Sequence, residues 1–320
     1  MSFSEKESNT EFIRRVGQTY KQMLDQAGQI VIGQQPVFEG LSIALVSRGH
    51  CLLAGGPGMA KTTTVSTLAK LFDLKFRRIS LTPDMTPGDI ANMESWQADG
   101  SPVIEGSSFA NVSLVEDINS APPKVQIMLL NAIQDEYLTL GQTRYPLPKP
   151  FFVVATEKPV DSDHESLLTV SQLDRFMMKL IAGYPSFEEE FELARRMTSL
   201  GEHVIHPVFS HDDLARLQKM IPSTPVNDDV AEFAVTMIRK TRVENPSETF
   251  EFMPLQVARG AGTSSLHALI RAAQARAILC GRTKTAKNDV RFVSKLVLRH
   301  RLVMQPDASL SSDDVIEQLD

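Results

Sequence analysis

Cysteine and tryptophan are both scarce in this chain of 320 residues. Cys51 and Cys280 stand far apart, each in apolar sequence surroundings. Two lone cysteines build neither a disulfide framework nor a zinc site, a usage that suits a reducing cytoplasm. No apolar run approaches the ~20 residues that a membrane helix needs, which argues against an integral membrane protein. Residues 1–11 are polar and charged, unlike a secretory leader. Surplus positive charge is missing as well: 33 Lys and Arg against 39 Asp and Glu give a formal net charge of −6. Nothing general therefore draws the chain to nucleic acid. Low-complexity tracts and internal repeats are absent too. What remains is the profile of a soluble cytoplasmic protein, long enough for about two domains at roughly 100–200 residues each.

The most informative stretch lies early. Cys51-Leu52-Leu53-Ala54 is a short apolar run and residues 63–71 read as a helix opened by Thr63. Between them stand Gly55, Gly56, Pro57, Gly58, Met59, Ala60, Lys61 and Thr62. A strand, a glycine-rich turn ending in Lys-Thr and a helix form the layout of a triphosphate cradle. Glycines let the backbone fold into a nest of inward N–H groups, and the helix adds its positive N-terminal end. Lys61 is placed to reach the β- and γ-phosphates of ATP, and the Thr62 hydroxyl to ligate Mg²⁺. Ala60 stands where a glycine is usual, which predicts that this residue keeps a negative φ.

Around this turn the chain alternates helix and strand signals. Phe12, Ile13, Val16, Tyr20, Met23 and Leu24 recur at helical spacing, and a second helix is predicted over 37–46. Strands are predicted over 76–80, over 112–115 with Glu116 and Asp117 at the end, over 151–156 and over 177–181. Apolar strands separated by helices predict an α/β fold with a parallel sheet between helices, its ligands at the carboxyl ends of the strands. Residues 93–105 flank Ala98-Asp99-Gly100, and residues 137–145 flank Gly141-Gln142; each reads either as a β-hairpin insert or as a surface loop. Trp96, in the first of these, is either a client contact or a core residue. After Gly183-Tyr184-Pro185 the signals are helical only. Ser186 and Glu189 form a capping box for a helix that closes at Gly201, and three later helices carry apolar stripes typical of core. These features divide the chain into 1–183, a nucleotide-binding core, and 184–320, an all-α C-terminal domain.

Gly-x-Pro-Gly-x-Ala-Lys-Thr is followed by Thr82-Pro83-Asp84, Phe109-Ala110-Asn111 and Ile118-Asn119-Ser120-Ala121-Pro122-Pro123-Lys124. Further on come Tyr145-Pro146-Leu147-Pro148, Gln172-Leu173-Asp174-Arg175-Phe176 and Leu298-Arg299-His300-Arg301. Together and in this order they resemble the MoxR family of AAA+ ATPases, over nearly the whole chain. The resemblance implies a P-loop core with two hairpin inserts and a helical lid. It also implies ATP held at the interfaces of a ring, commonly a hexamer. Family members act as chaperone-like remodellers, often beside partners bearing von Willebrand factor A domains.

Carried over residue by residue, the family's pattern assigns Val31, Ile32, Gly33 and Gln34 to the adenine pocket and Arg175 to an arginine finger acting on a neighbour. Arg175 also has a plainer reading, an ion pair with Asp174. The family's Asp-Glu-Ile-Asn appears here as Glu116-Asp117-Ile118-Asn119, so the Mg²⁺ slot holds Glu116 and the water-activating slot holds Asp117. Where the family has an asparagine that orients the attacking water, this chain has Lys158, which cannot accept a hydrogen bond. Lys158 pairs with Glu157, with another acid or with phosphate, or is simply exposed. The lid arginine of the family is replaced by Leu266, with His267 beside it.

These departures fall on hydrolysis more than on binding. The expectation is a slow ATPase, using Mg·ATP to drive remodelling or activation of a partner protein. The alternative is a nucleotide-binding regulatory or scaffold subunit with negligible hydrolysis, in a mixed ring beside an active paralogue. A nucleic-acid motor is disfavoured, because residues 93–105 contain no Lys or Arg.

Overall fold

The computed structural model describes residues 7–91, 95–96, 102–103, 109–140, 143–158, 168–197, 204–244 and 253–319. The side chain of Trp96 lies outside that set, as do Gly201 and the central residues of both hairpin turns.

The N-terminal part runs α1 (Asn9–Gly28), α2 (Gln35–Val46), β1 (Cys51–Ala54), α3 (Lys61–Leu71), β2 (Phe76–Ser80) and α4 (Pro87–Ala91). It continues with β3 (Ser95–Trp96), β4 (Pro102–Val103), β5 (Val112–Glu116), α5 (Pro123–Asp135), β6 (Tyr137–Leu140) and β7 (Thr143–Pro146). β8 (Phe152–Thr156), α6 (Val170–Leu173) and β9 (Met178–Ile181) complete it. Five strands form one parallel sheet in the order β2-β5-β8-β1-β9. Both inserts are antiparallel hairpins, β3 with β4 and β6 with β7.

Strand alternation explains why the sheet is covered on both faces. Cys51 and Leu53 of β1 and Phe152 and Val154 of β8 enter the apolar cluster shared with α1, α2 and α3, whereas Leu52, Val153 and Ala155 enter the one shared with α5. Successive side chains of a strand point to opposite faces, so near-continuous apolar runs mark strands buried on both sides.

The C-terminal part contains α7 (Phe187–Met197), α8 (His211–Met220), α9 (Asp228–Lys240), α10 (Met253–Gln256), β10 (Val257–Arg259) and α11 (Thr263–Leu279). α12 (Lys287–Leu298), β11 (Val303–Met304) and α13 (Ser312–Glu317) follow. The helices-only expectation needs one correction, because β10 and β11 pair as a short antiparallel ribbon. The Ser186–Glu189 capping box is present, with Ser186 N–H donating to Glu189 Oε2 at 2.8 Å and Glu189 N–H to Ser186 Oγ at 3.3 Å. Cys51 is buried but Cys280 is exposed, against its apolar sequence context, because it caps α11 at the surface.

α1 docks on its own chain. Phe12, Val16 and Met23 are fully buried, and the Arg216 guanidinium lies 3.9 Å over the Phe12 ring. At Gly17 a Cβ would stand 2.7 Å from the Gly281 Cα, so backbone-to-backbone contact between α1 and the end of α11 requires glycine there.

Candidate active site

The turn after β1 is shaped by three residues in the left-handed region. Gly55 has φ 148° and Gly58 φ 80°, and a Cβ on Gly55 would meet the Ala182 carbonyl oxygen at 2.6 Å. Ala60 is the third, at φ 51°, ψ 23°. This corrects the sequence expectation of negative φ at that position. The cost to an alanine is about 1–2 kcal/mol, borne where the chain must reverse to start α3. Lys61 Nζ donates to the carbonyls of Gly55 and, at 3.0 Å, Gly56, which ties the ammonium to its own loop.

A cavity of about 640 Å³ opens beside this turn. Gly55, Pro57, Gly58, Met59, Ala60, Lys61, Thr62 and Thr63 form one wall; Glu116, Asp117, Thr156, Glu157, Lys158 and Arg78 form the other. The strand order brings them together: β8 lies between β1 and β5, so the carboxyl ends of all three meet.

Glu116 ends β5 directly opposite Ser80. Its Oε1 lies 3.4 Å from Thr62 Oγ1, while Oε2 accepts from Ser80 Oγ at 2.9 Å and from Arg78 Nε at 2.6 Å. A hydroxyl and a carboxylate oxygen facing the phosphate turn are hard donors of the kind Mg²⁺ takes, with phosphate and water completing its shell. The residues therefore fit the ion. Asp117 adopts φ 59°, ψ 50°, and its N–H donates to Thr156 Oγ1 at 3.1 Å. Among the described residues its carboxylate has no hydrogen-bond partner.

Of the alternatives open to Lys158, an ion pair with Glu157 is not formed. Glu157 instead accepts from Lys179 Nζ at 3.1 Å. The Lys158 backbone is held by Asn119, whose Nδ2 donates to the Lys158 carbonyl at 3.1 Å and whose Oδ1 accepts from the Lys158 N–H at 2.9 Å. Val31, Ile32, Gly33 and Gln34 do not line the phosphate cavity. Gly33 and Gln34 pack on the connection to α7: a Cβ on Gly33 would meet Pro185 Cβ at 2.7 Å, and Gln34 Nε2 donates to the Gly183 carbonyl at 2.8 Å.

Arg175 lies apart from this cavity, and its pairing with Asp174 is not formed either. Its guanidinium donates to the Leu130 carbonyl at 3.0 Å and Asn131 Oδ1 at 2.9 Å. Asp174 is taken by Arg301 Nε at 2.8 Å, and Arg301 also donates to the carbonyls of Phe176 and Met177. His300 Nε2 meets the Phe176 carbonyl at 3.0 Å. Burial, then the neighbouring Arg301, pushes the His300 pKa well down, so a neutral ring donates this bond. The Leu298-Arg299-His300-Arg301 motif thus clamps the turn that presents Arg175. Leu266 packs against the core.

Sequence reasoning missed Arg78, Ser80 and Thr156. Arg78 and Ser80 are i, i+2 on β2 and share a face, but that face matters only once β2 is known to lie beside β5.

A P-loop on a five-stranded parallel sheet, with acids at the end of β5, the strand two places from the P-loop strand, and a C-terminal helical part, defines an AAA+ ATPase. Residues 50–178 match the family model "ATPase family associated with various cellular activities (AAA)", and residues 255–319 match the AAA lid domain. The chain is 35% identical to Chaperone MoxR1 of Mycobacterium tuberculosis, over 91% of this chain and 77% of that one. It is 32% identical to the uncharacterized protein YeaC of Bacillus subtilis, covering 89% and 87%. A solved structure of a candidate ATPase from Cytophaga hutchinsonii superposes with a TM-score of 0.87 at 31% identity, covering 97% and 95% of the two chains. The chain belongs to the MoxR family of AAA+ ATPases. Among the described residues no helix is long and apolar enough to cross a membrane.

Proposed function

We propose that this chain binds Mg·ATP in the 640 Å³ cavity and hydrolyses it slowly within a ring of copies, a hexamer by family likeness. The energy drives chaperone-like remodelling or activation of a partner protein in the cytoplasm, one with a von Willebrand factor A domain. Residues 1–183 form the nucleotide-binding core and 184–320 the lid. The observation that carries this reading is the convergence of Lys61, Thr62, Glu116 and Asp117 on one cavity.

Lys61 exchanges its loop carbonyls for the β- and γ-phosphate oxygens. Thr62 and Glu116 hold Mg²⁺, which neutralises charge on those oxygens. Asp117 takes a proton from the attacking water. Aspartate is shorter than glutamate by one methylene, about 1.5 Å of reach, and a misplacement of about 1 Å can cost about 10²-fold. Slow turnover follows.

The test is steady-state phosphate release over a protein concentration series, with and without Mg²⁺. Turnover is expected to be Mg²⁺-dependent and to rise with concentration. Glu116→Asp with Asp117→Glu should raise kcat about tenfold or more with little change in ATP affinity, and Asp117→Asn should abolish release. A flat response to the double swap would move the brake to Lys158 and Leu266. Tight ATP binding with no release at all would favour the regulatory or scaffold subunit, in a mixed ring with a paralogue.

A further inference from the structure

A cavity of about 410 Å³ opens at the amino ends of the strands, away from the carboxyl ends that hold the nucleotide cavity. Arg48 precedes β1, Glu136 follows α5, Lys149 and Phe151 lead into β8, and His211 and Lys219 stand on α8. None of these residues lines the nucleotide cavity. Arg48, Lys149 and Lys219 are set against a single lining carboxylate, Glu136, in a chain whose net charge is −6. That carboxylate is already committed, accepting from Arg48 at 2.8 Å and lying 3.4 Å from Lys149 Nζ. Burial pushes its carboxyl up, but Arg48 and Lys149 outweigh burial and leave the pKa lowered. Lys219 and His211 have no hydrogen bond or ion pair among the described residues.

Arg48 and Glu136 both take the left-handed conformation, at φ 58° and 57°, just past the last turns of α2 and α5, where glycine is the usual residue. Five non-glycine residues have positive φ among those described, and Ala60 and Asp117 of the five line the nucleotide cavity. Strained backbone concentrates at ligand sites, and two of the other three line this cavity. Phe151 adds apolar surface, its ring placed 5.6 Å from that of Phe109 and 5.5 Å from that of His50. The first turn of α8 is closed by its own capping box, Ser210 with Asp213, so the cavity offers side-chain cations rather than a nest of N–H groups. Phosphate is gripped by such nests and by bidentate arginine. Lysine ammoniums are point charges on flexible stems, and beside a ring they suit carboxylates carried on a polypeptide.

We propose that this cavity is a docking site for an acidic peptide segment of a partner protein. The segment's carboxylates meet Lys149, Lys219 and His211, and an apolar side chain of the same segment rests against Phe151. Docking here depends neither on nucleotide hydrolysis nor on ring formation. The acidic balance of the chain as a whole repels such a segment, so the local cations supply both the attraction and the selectivity.

The probe is a fluorescein-labelled hexaglutamate peptide with one phenylalanine at its centre, followed by fluorescence anisotropy at low ionic strength. Binding to wild type is expected, and it should weaken as salt is added. Lys149→Glu with Lys219→Glu should reduce affinity about tenfold or more, because two attractions become repulsions. Both lysines are exposed, so the melting temperature and its rise with Mg·ATP should stay close to wild type. Lys21→Glu with Lys70→Glu makes the same change in net charge at exposed positions outside the cavity and should leave most of the affinity in place. No binding to wild type, or equal losses in the two double variants, overturns the site. Citrate at matched carboxylate concentration should not displace the peptide. Full displacement by citrate would assign the cavity to a small polycarboxylate and overturn its role in peptide docking.

Discussion

Arg78→Ala offers a direct probe of the metal side of the active site. In the structure the Arg78 Nε donates to Glu116 Oε2 at 2.6 Å, so an internal cation already occupies the carboxylate that faces Thr62. A sheltered charge-assisted bond of that geometry contributes roughly 1.5–3 kcal/mol. The Arg78 side chain, however, is 57% exposed, and exposed pairs contribute only about 0.2–1 kcal/mol. Mg²⁺ must displace the guanidinium from Oε2 or share the carboxylate with it. Removing Arg78 should therefore lower the Mg²⁺ concentration for half-maximal ATP binding by about 1.4- to 5-fold, at 1.4 kcal/mol per decade. The assay is an Mg²⁺ titration of ATP-induced thermal stabilisation, run on wild type and variant in parallel. Because an exposed pair is screened by salt, the difference should shrink as ionic strength rises. An unchanged or higher Mg²⁺ requirement in Arg78→Ala would refute the competition, and would make Arg78 a phosphate contact in its own right.

Two further perturbations test separate parts of the molecule. Among the described residues Arg175→Ala removes bonds only to neutral acceptors while Arg301 and His300 still clamp the turn; ATP binding should persist, and mixing the variant into wild type should depress ATPase activity more than dilution does. Strictly proportional loss in a mixing curve would argue against a role across subunits. Asp289 is fully buried and accepts from Arg276 and Arg282, both at 2.6 Å, and from the Ala286 N–H at 2.9 Å. Asp289→Asn should cost about 1.5–3 kcal/mol in urea unfolding, because charge-assisted bonds to a buried carboxylate are lost while the two partly exposed arginines left behind stay hydrated. Burial pushes the Asp289 carboxyl up, but Arg282, the Ala286 N–H and Arg276 outweigh it and leave the pKa lowered. Its stabilisation is thus complete above the unfolded value of about 3.9 and is lost as pH falls through the lower folded value. The stability gap between wild type and Asp289→Asn should close in that acid range, and a gap independent of pH below 4 would contradict the assignment.

Local chemistry determined much of this protein without reference to the fold. The run from Gly55 to Thr62 specified a phosphate turn because glycine spacing and a following lysine act over a few residues. The apolar runs at β1, β5 and β8 declared strands buried on both faces, and the Ser186–Glu189 box declared a helix start, since capping too is local. Departures such as Asp117 for glutamate were visible letter by letter. What the tertiary structure decided is which distant residues meet. Ala60 takes a positive φ where the chain reverses to start α3, and Gly55 has no side chain where the turn abuts the Ala182 carbonyl beyond β9. Arg78 reaches Glu116 because β2 pairs with β5. Arg175 is held by Asn131 and by the clamp from Arg301 rather than by its sequence neighbour Asp174. Arg48, Lys149 and Lys219, from three unrelated stretches, face one cavity because α8 packs on α2. Spacing along the chain carries information over a helical turn or a strand; strand order and helix packing set every longer-range encounter, and no single segment encodes them.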